Sequence, residues 1–207
     1  MKNKKSIPIQ FIKWAYAERR DLIKRMLEGK TSKKDFLIGF LRHTPAIISY
    51  GPAGLNASIK GIGFVVKEKY LYETTEALEK FIEKSGDVKE AVKILLKYIY
   101  VEDYMEKIDF TKLSTIELAR KHTWINIQSN PIATILFFMP PLTTYEVRCK
   151  ATIHVNDIYW RYVNAVHDVF HVAPYSEKRD WSKRPVYIFE IQEIYDNDPR
   201  KMGEKIY

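Results

Sequence analysis

The sequence predicts an α+β fold, an antiparallel sheet or small barrel with helices packed around it. Three observations carry that expectation. Consecutive strand-like segments are joined by turns of hairpin length, which argues against alternating βα units. TYEVRCKATIHV (144–155) alternates throughout: Tyr145, Val147, Cys149, Ala151, Ile153 and Val155 fall on one face, and Glu146, Arg148, Lys150, Thr152 and His154 on the other. That is the pattern of a strand with a core face and a polar face. Aromatic residues make up 14% of the chain, with 14 Tyr, which favours broad sheet surfaces over a plain helical bundle.

In chain order, residues 8–28 repeat apolar positions at helical spacing (Phe11, Ile12, Ala15, Leu22, Ile23, Met26, Leu27), and Gly29 is the stop signal. Ser32 with Asp35 caps a short second helix over 36–41, which Pro45 ends. PAIISYG reads as a buried strand and GPAG as a turn. SIKGIGFVV (58–66) and KYLYETT (69–75), rich in β-branched and aromatic residues, read as a hairpin about Lys67-Glu68. The period then changes. Residues 76–84 and 87–107 read as helical, the second opened by Asp87 with Glu90. Ser114 with Glu117 opens a further helix to about Asn130, where Pro131 ends it. IATILFFM (132–139) is the short apolar run of a strand buried on both faces, and PPLT turns the chain into the alternating strand. Asn156 caps a helix across 157–171, and PVYIFEIQEIY (185–195) is the last strand. The chain thus divides into N-terminal helices (1–43), a barrel-like domain (44–196) with a helical insertion at 76–113, and a tail (197–207).

The 207 residues suffice for one well-cored domain. A net charge of +8 suits an anionic partner, either a phosphate-bearing cofactor or nucleic acid, although interspersed Lys and Glu also make an ordinary solvated surface. The single cysteine, Cys149, excludes an intramolecular disulfide and a Cys-based zinc knuckle, and suits a reducing, cytoplasmic setting. MKNKKSIPIQF lacks the apolar core of a signal peptide, and no apolar run approaches the ~18 residues of a membrane span. GPAG lacks the Gly-Lys-Ser ending of a phosphate loop and is read only as a turn.

In order, SIKGIGFVV, KYLYETT, the helix ending KHTWINIQSNP, IATILFF, TYEVRCKATIHV and PVYIFEIQEIY resemble the flavin-binding split barrel of the pyridoxamine 5′-phosphate oxidase-like superfamily, over residues 40–196. The resemblance implies a mostly antiparallel split β-barrel with surrounding helices. It also implies bound flavin mononucleotide (FMN), an oxidoreductase acting on a small molecule, and a homodimer with the flavin in its interface. Carried over residue by residue, it gives Lys60 as the basic residue of the second strand, reaching the phosphate or ring. Thr74 and Thr75 become the polar end of the third strand. Lys121, His122 and Thr123 become the phosphate-contacting helix start. Glu146 and Arg148 lie on a strand lining the site, with Thr75 and Glu146 touching the ring or ribityl chain. Lys and hydroxyl donors suit a phosphate because hydrogen bonds to a charged group are stronger than neutral ones. Tyr72, Trp124, Tyr145 and Phe64 are available for a flat apolar slot. The sequence departs from the family's pattern in three places. The insertion stands where relatives usually carry a short phosphate-binding loop. Ala119-Arg120-Lys121-His122 stands where better-known oxidases have a Ser-Arg-Lys trio. No Arg/His substrate pair is recognisable near the C-terminus, so oxidation of pyridoxamine phosphate itself is not expected.

Two further constellations stand in the sequence. His167 and His171 stand at i,i+4 with Asp168 or Asp157 nearby, which is metal-ligand spacing without a third ligand, and no metal is expected there. Aromatic-rich strands on a basic chain also suit nucleic acid, and a dimeric split barrel that binds no cofactor is the remaining alternative.

Overall fold

The computed structural model describes residues 6–84, 87–171 and 180–207. Ile9–Ile12 (α1) passes through a π-helical turn, Lys13–Ala17, into Glu18–Leu27 (α2). Gly29, at φ +68°, ends the run. Lys33–His43 (α3) opens with the capping box read in the sequence: Ser32 Oγ accepts from Asp35 N, and Asp35 accepts from Ser32 N at 2.8 Å. The remaining helices are Glu68–Glu83 (α4), Val88–Tyr98 (α5), Tyr104–Lys107 (α6), His122–Ser129 (α7) and Ile158–Phe170 (α8).

The strands are Ala46–Gly51 (β1), Gly54–Ile59 (β2), Gly63–Val66 (β3), Ile108–Ile116 (β4), Ile132–Met139 (β5), Thr143–His154 (β6), Val186–Asp196 (β7) and Glu204–Lys205 (β8). They form one antiparallel sheet in the order β2-β1-β5-β6-β7-β4-β3, with β8 on β7. The sheet curls without closing, which makes the α+β, mostly antiparallel split barrel the sequence pointed to. Its seam lies between β2 and β3, joined by residues 60–62. Ile62 N donates to His43 O at 2.8 Å, and Thr115 Oγ1 to Gly61 O at 2.6 Å, so hydrogen bonds to α3 and β4 hold the bend.

Inside the barrel, β5, β6 and β7 bury alternate residues as their sequences dictate: Ile135, Val147, Cys149, Tyr187 and Phe189 are at most 1% exposed. The first helix plugs one end. Phe11 meets Tyr145 at 5.2 Å and Phe137 at 6.0 Å between ring centroids, and Tyr16 meets Phe110 at 5.4 Å. The outer face of β2, β1 and β5 has a different character. Register places Leu55, Ala57 and Ile59 beside Tyr50, Ile48 and Ala46, and Leu136 beside Ala46, so that one face of three strands is almost wholly apolar. Leu55 is 77% exposed and Ile59 67%.

The structure corrects several expectations. KYLYETT is not a strand but the first turns of α4. Leu71, Thr74, Thr75 and Leu78 stand at i, i+3, i+4 and i+7 and bury one helical face, and that amphipathic stripe overrides strand propensity. The hairpin lies earlier, between β1 and β2, where Gly51 pairs with Gly54 and Gly54 takes φ +79°. The helix expected over 87–107 ends at Tyr98, with α6 as a separate turn, although Asp87 does cap it by accepting from Glu90 N at 2.8 Å. No helix starts at Ser114. That residue lies in β4, which pairs with β3 and β7, and only α7 is helical before Asn130. Asp157, not Asn156, caps α8 by accepting from Trp160 N at 2.9 Å. Among the described residues, no helix is long and apolar enough to cross a membrane.

Candidate anion and cofactor site at the barrel seam

The seam gathers polar groups from five elements. Along β2, Asn56 and Ser58 point to the inner face, opposite Ser49 and Ile47 of β1. Helix α7 packs against that hairpin. Its Asn126 donates to Gly54 O at 2.8 Å and accepts from Ala53 N at 2.9 Å. The approach is close enough that a Cβ on Gly51 would stand 2.9 Å from Asn126 Cα. Thr123, one turn earlier, is buried. Its hydroxyl accepts from Asn56 Nδ2 at 2.9 Å and shares a hydrogen bond with Ser58 Oγ at 3.0 Å.

Beside this cluster, the two edges of the seam are pinned together. Lys60 Nζ, following β2, donates to Glu117 Oε2 at 2.9 Å, and Glu117 follows β4. The Glu117 side chain is 1% exposed and that of Lys60 13%. Tyr187 of β7 donates to the same oxygen at 3.1 Å, and the backbone N–H groups of Ala119 and Arg120 donate to Oε1 at 2.8 Å each. Burial pushes the Glu117 carboxyl up. The Lys60 hydrogen bond and charge, with the two N–H groups, more than reverse that and hold it below the usual carboxylate range. Burial, then the Glu117 charge, drives the Tyr187 phenol far above its ordinary value. Four donors therefore converge on one carboxylate, the arrangement an anion requires.

Arg120, at φ +51°, turns the chain from this cluster into α7. Lys121 is the first flanking residue of the helix, and no side chain caps the helix N-terminus. Lys121 and His122 are exposed. The Arg120 guanidinium stands 5.8 Å from the Trp124 ring, which is itself 6.4 Å from Tyr187.

Of the seven residues the sequence nominated, the structure brings four to the seam: Lys60, Lys121, His122 and Thr123. Lys60 is held by Glu117 and is not free at the rim. Thr74 and Thr75 lie elsewhere, buried in α4, with Thr75 Oγ1 donating to Leu71 O at 2.7 Å. They fill the helix's core face, and the strand entering α7 is β4. Glu146 lies on the outer face, beside Leu136 of β5, and accepts from Arg148 Nε at 2.7 Å. Of the four rings proposed for a flat slot, only Trp124 is at the seam. Tyr145 and Phe64 are core partners of Phe11, and Tyr72 is exposed on α4. Sequence reasoning missed Glu117, Tyr187, Asn56 and Ser58. The inward alternation of Asn56, Ser58 and Lys60 was readable once β2 was extended back to Gly54.

The His167 and His171 rings do meet, 4.4 Å apart. Asp168 hydrogen-bonds His167 Nδ1 at 3.1 Å and Trp181 Nε1 at 2.7 Å, and Asp157 is turned to His154. Among the described residues, no group of three His, Cys, Asp or Glu side chains is placed to hold a metal ion.

No family model matches the chain, and no curated protein matches it. Among solved structures, it is similar to HupZ of Group A Streptococcus (14% identity over 92% of this chain and 98% of that one, TM-score 0.47). It is also similar to a pyridoxamine 5′-phosphate oxidase-related, FMN-binding protein of Nostoc punctiforme PCC 73102 (10% identity, 99% and 98%, TM-score 0.46). A third is an F420 reductase (12% identity, 73% and 87%, TM-score 0.43).

Proposed function

We propose that the protein binds flavin mononucleotide at the seam, as a homodimer, and acts as an oxidoreductase on a small molecule. The observation that carries this reading is the start of α7. Exposed Lys121 and His122, the uncapped helix N-terminus and the Arg120 guanidinium stand over a floor of Thr123, Ser58 and Asn56, with Trp124 alongside. A helix N-terminus with basic side chains attracts a phosphate through its free N–H groups and its dipole. The residues fit the phosphate at this rim. A bound flavin would supply the electron or hydride transfer, while the chain positions it and excludes water. The apolar outer face of β2, β1 and β5, which adjoins Glu146 and Arg148, supports pairing with a second copy.

The test is the colour of the purified protein. A yellow preparation that releases its chromophore in acid supports the reading. Lys121→Ala, at an exposed position, should leave stability unchanged and weaken flavin retention by roughly tenfold, as expected for one charge-assisted hydrogen bond. Unchanged occupancy removes Lys121 from the site.

One observation favours a second reading, a split-barrel dimer without cofactor. Lys60, Tyr187 and two N–H groups already have an anion, the Glu117 carboxylate. In the flavin reading Lys60 exchanges Glu117 for the phosphate, and in the second it keeps Glu117. A colourless protein that takes up no added flavin mononucleotide supports the second.

A further inference from the structure

The curled sheet ends in two edge strands, β2 and β3, and they are built differently. A free edge presents a row of unpaired N–H and C=O groups, which proteins guard with short strands, bulges, proline or charge. β3 is guarded. It has four residues, its register on β4 shifts between Phe64 and Val65, and Val65 and Val66 are buried. β2 is not. It runs six residues, pairs with β1 at every one of them without a bulge, and contains neither proline nor charge.

One hydrogen bond fixes which groups of β2 face outward. Lys60 N donates to Pro45 O at 3.3 Å, one pair beyond Ala46 and Ile59. Antiparallel partners alternate between hydrogen-bonded and non-hydrogen-bonded pairs. Ser58, Asn56 and Gly54 therefore share the orientation of Lys60 and turn their N–H and C=O groups to β1. Those of Leu55, Ala57 and Ile59 point away from β1, off the edge of the sheet. Among the described residues, none of these outward groups has a partner, and all three residues are exposed.

We propose that the β2 edge pairs with the β2 edge of a second copy, antiparallel about a two-fold axis at Ala57. In that register the strand is its own complement. Ala57 faces Ala57 of the second copy, Leu55 faces its Ile59, and Asn56 faces its Ser58. Every outward N–H and C=O of Leu55, Ala57 and Ile59 then meets a partner, whereas a shift of two residues leaves a set unpaired in each copy. Apolar side chains meet on the outer face and an amide meets a hydroxyl on the inner face, the cross-strand pairs that stabilise antiparallel strands. Such self-complementarity is what a two-fold contact requires. Charge favours the same occupant. The chain carries +8, so most of its surface repels a copy of itself, but β2 is neutral and the adjoining Lys60 falls opposite Gly54. The pairing rests on the proposed homodimer, and not on its flavin.

The full chain should sediment as a dimer. Ala57→Pro deletes an N–H that no group of its own chain uses, so a single copy should stay folded, while the proline bars pairing along that edge. The dissociation constant should rise at least ~30-fold, for the two central hydrogen bonds lost. Crosslinking gives a second test, since Cys149, the chain's own cysteine, is buried. Dibromobimane should join two copies of Ala57→Cys, whose thiols face each other, and should not join two copies of Leu55→Cys, which faces Ile59. Should Ala57→Pro fail to fold, the crosslinking decides alone. A wild-type protein that stays monomeric at high concentration overturns the pairing and the homodimer together. An unchanged dissociation constant in folded Ala57→Pro, Ala57→Cys left unjoined, or Leu55→Cys joined as readily as Ala57→Cys overturns the edge pairing alone and leaves the dimer to the sheet face.

Discussion

The seam and the apolar cavity bounded by α2, α3, α5 and α8 differ in where their polar groups find partners. At the seam, an ammonium, a phenol and two N–H groups converge on Glu117, and the Thr123, Ser58 and Asn56 side chains bond one another. At the cavity, His43 is one of two polar lining residues, and its Nδ1 is buried with no hydrogen-bond partner among the described residues. The cluster that most resembles an anion site already contains an anion, whereas the unpartnered nitrogen beside the cavity is closed off from solvent. A constellation of ligand-like residues that satisfies itself, and a buried polar atom that solvent cannot reach, are both explained by packing before any ligand is invoked.

The largest effect tests the self-sufficiency of the seam. Glu117→Ala leaves Lys60 and the Tyr187 hydroxyl buried without their acceptor, and should cost about 3–5 kcal/mol in urea denaturation, the usual loss when one partner of a buried pair is removed. The double variant Lys60→Met/Glu117→Leu should cost markedly less, because no charge is left behind. If Glu117→Ala costs under about 1 kcal/mol, the seam is not held by this pair, and Lys60 is available for a phosphate after all.

The second effect concerns the outer face that would join two copies around the seam. Leu55→Lys with Ile59→Lys places two charges on the apolar face of β2. Both residues are exposed, so the stability of a single copy should change by less than about 0.5 kcal/mol each. Dimer dissociation measured by sedimentation should rise at least ~30-fold, the equivalent of one interface hot spot. A wild-type protein that sediments as a monomer at high concentration leaves the seam to work within one chain.

How much of this was legible in the sequence depended on how local each determinant was. The alternation of 144–155 gave β6, with Cys149 inward, and the Ser32–Asp35 box opened α3. Both signals lie within a dozen residues. The misreadings were of segments whose local chemistry favoured the wrong state. Tyr70, Tyr72, Thr74 and Thr75 are good strand formers, but the burial of Leu71 and Leu78 with both threonines commits them to a helix packed on α8. Ser114 and Glu117 have the spacing of a helix cap, yet Ser114 completes β4 and Glu117 turns inward to bind groups 57 residues earlier and 70 later. The candidate residues at the start of α7 were readable as a basic, hydroxyl-bearing helix start. Glu117 was not, because its role exists only once β2, β4 and β7 come together. His43 gave no signal, since a buried nitrogen without a partner is a property of packing.

The smallest effect sharpens the comparison through pH. The carboxylates at the seam and in α8, Glu117 and Asp168, are held below their ordinary values of 4.5 and 3.8, so the stability they contribute is present above those values and is lost only as pH falls beneath them. His43 acts earlier. An unfolded histidine takes up its proton near pH 6.5, whereas burial and then the Arg19 charge, with His171 and His167 adding further like charge, keep the folded ring neutral well below that. Between those two values the unfolded chain binds a proton that the folded chain refuses. Stability therefore falls as pH drops below about 6.5, by up to ~1.4 kcal/mol per unit, until the folded ring protonates. His43→Phe should flatten the fall in stability between pH 6.5 and 5 relative to wild type, while the loss near pH 4 that belongs to the carboxylates persists. An unchanged fall between pH 6.5 and 5 in His43→Phe would mean that the ring takes up its proton alike in the folded and unfolded chain and contributes nothing to that fall.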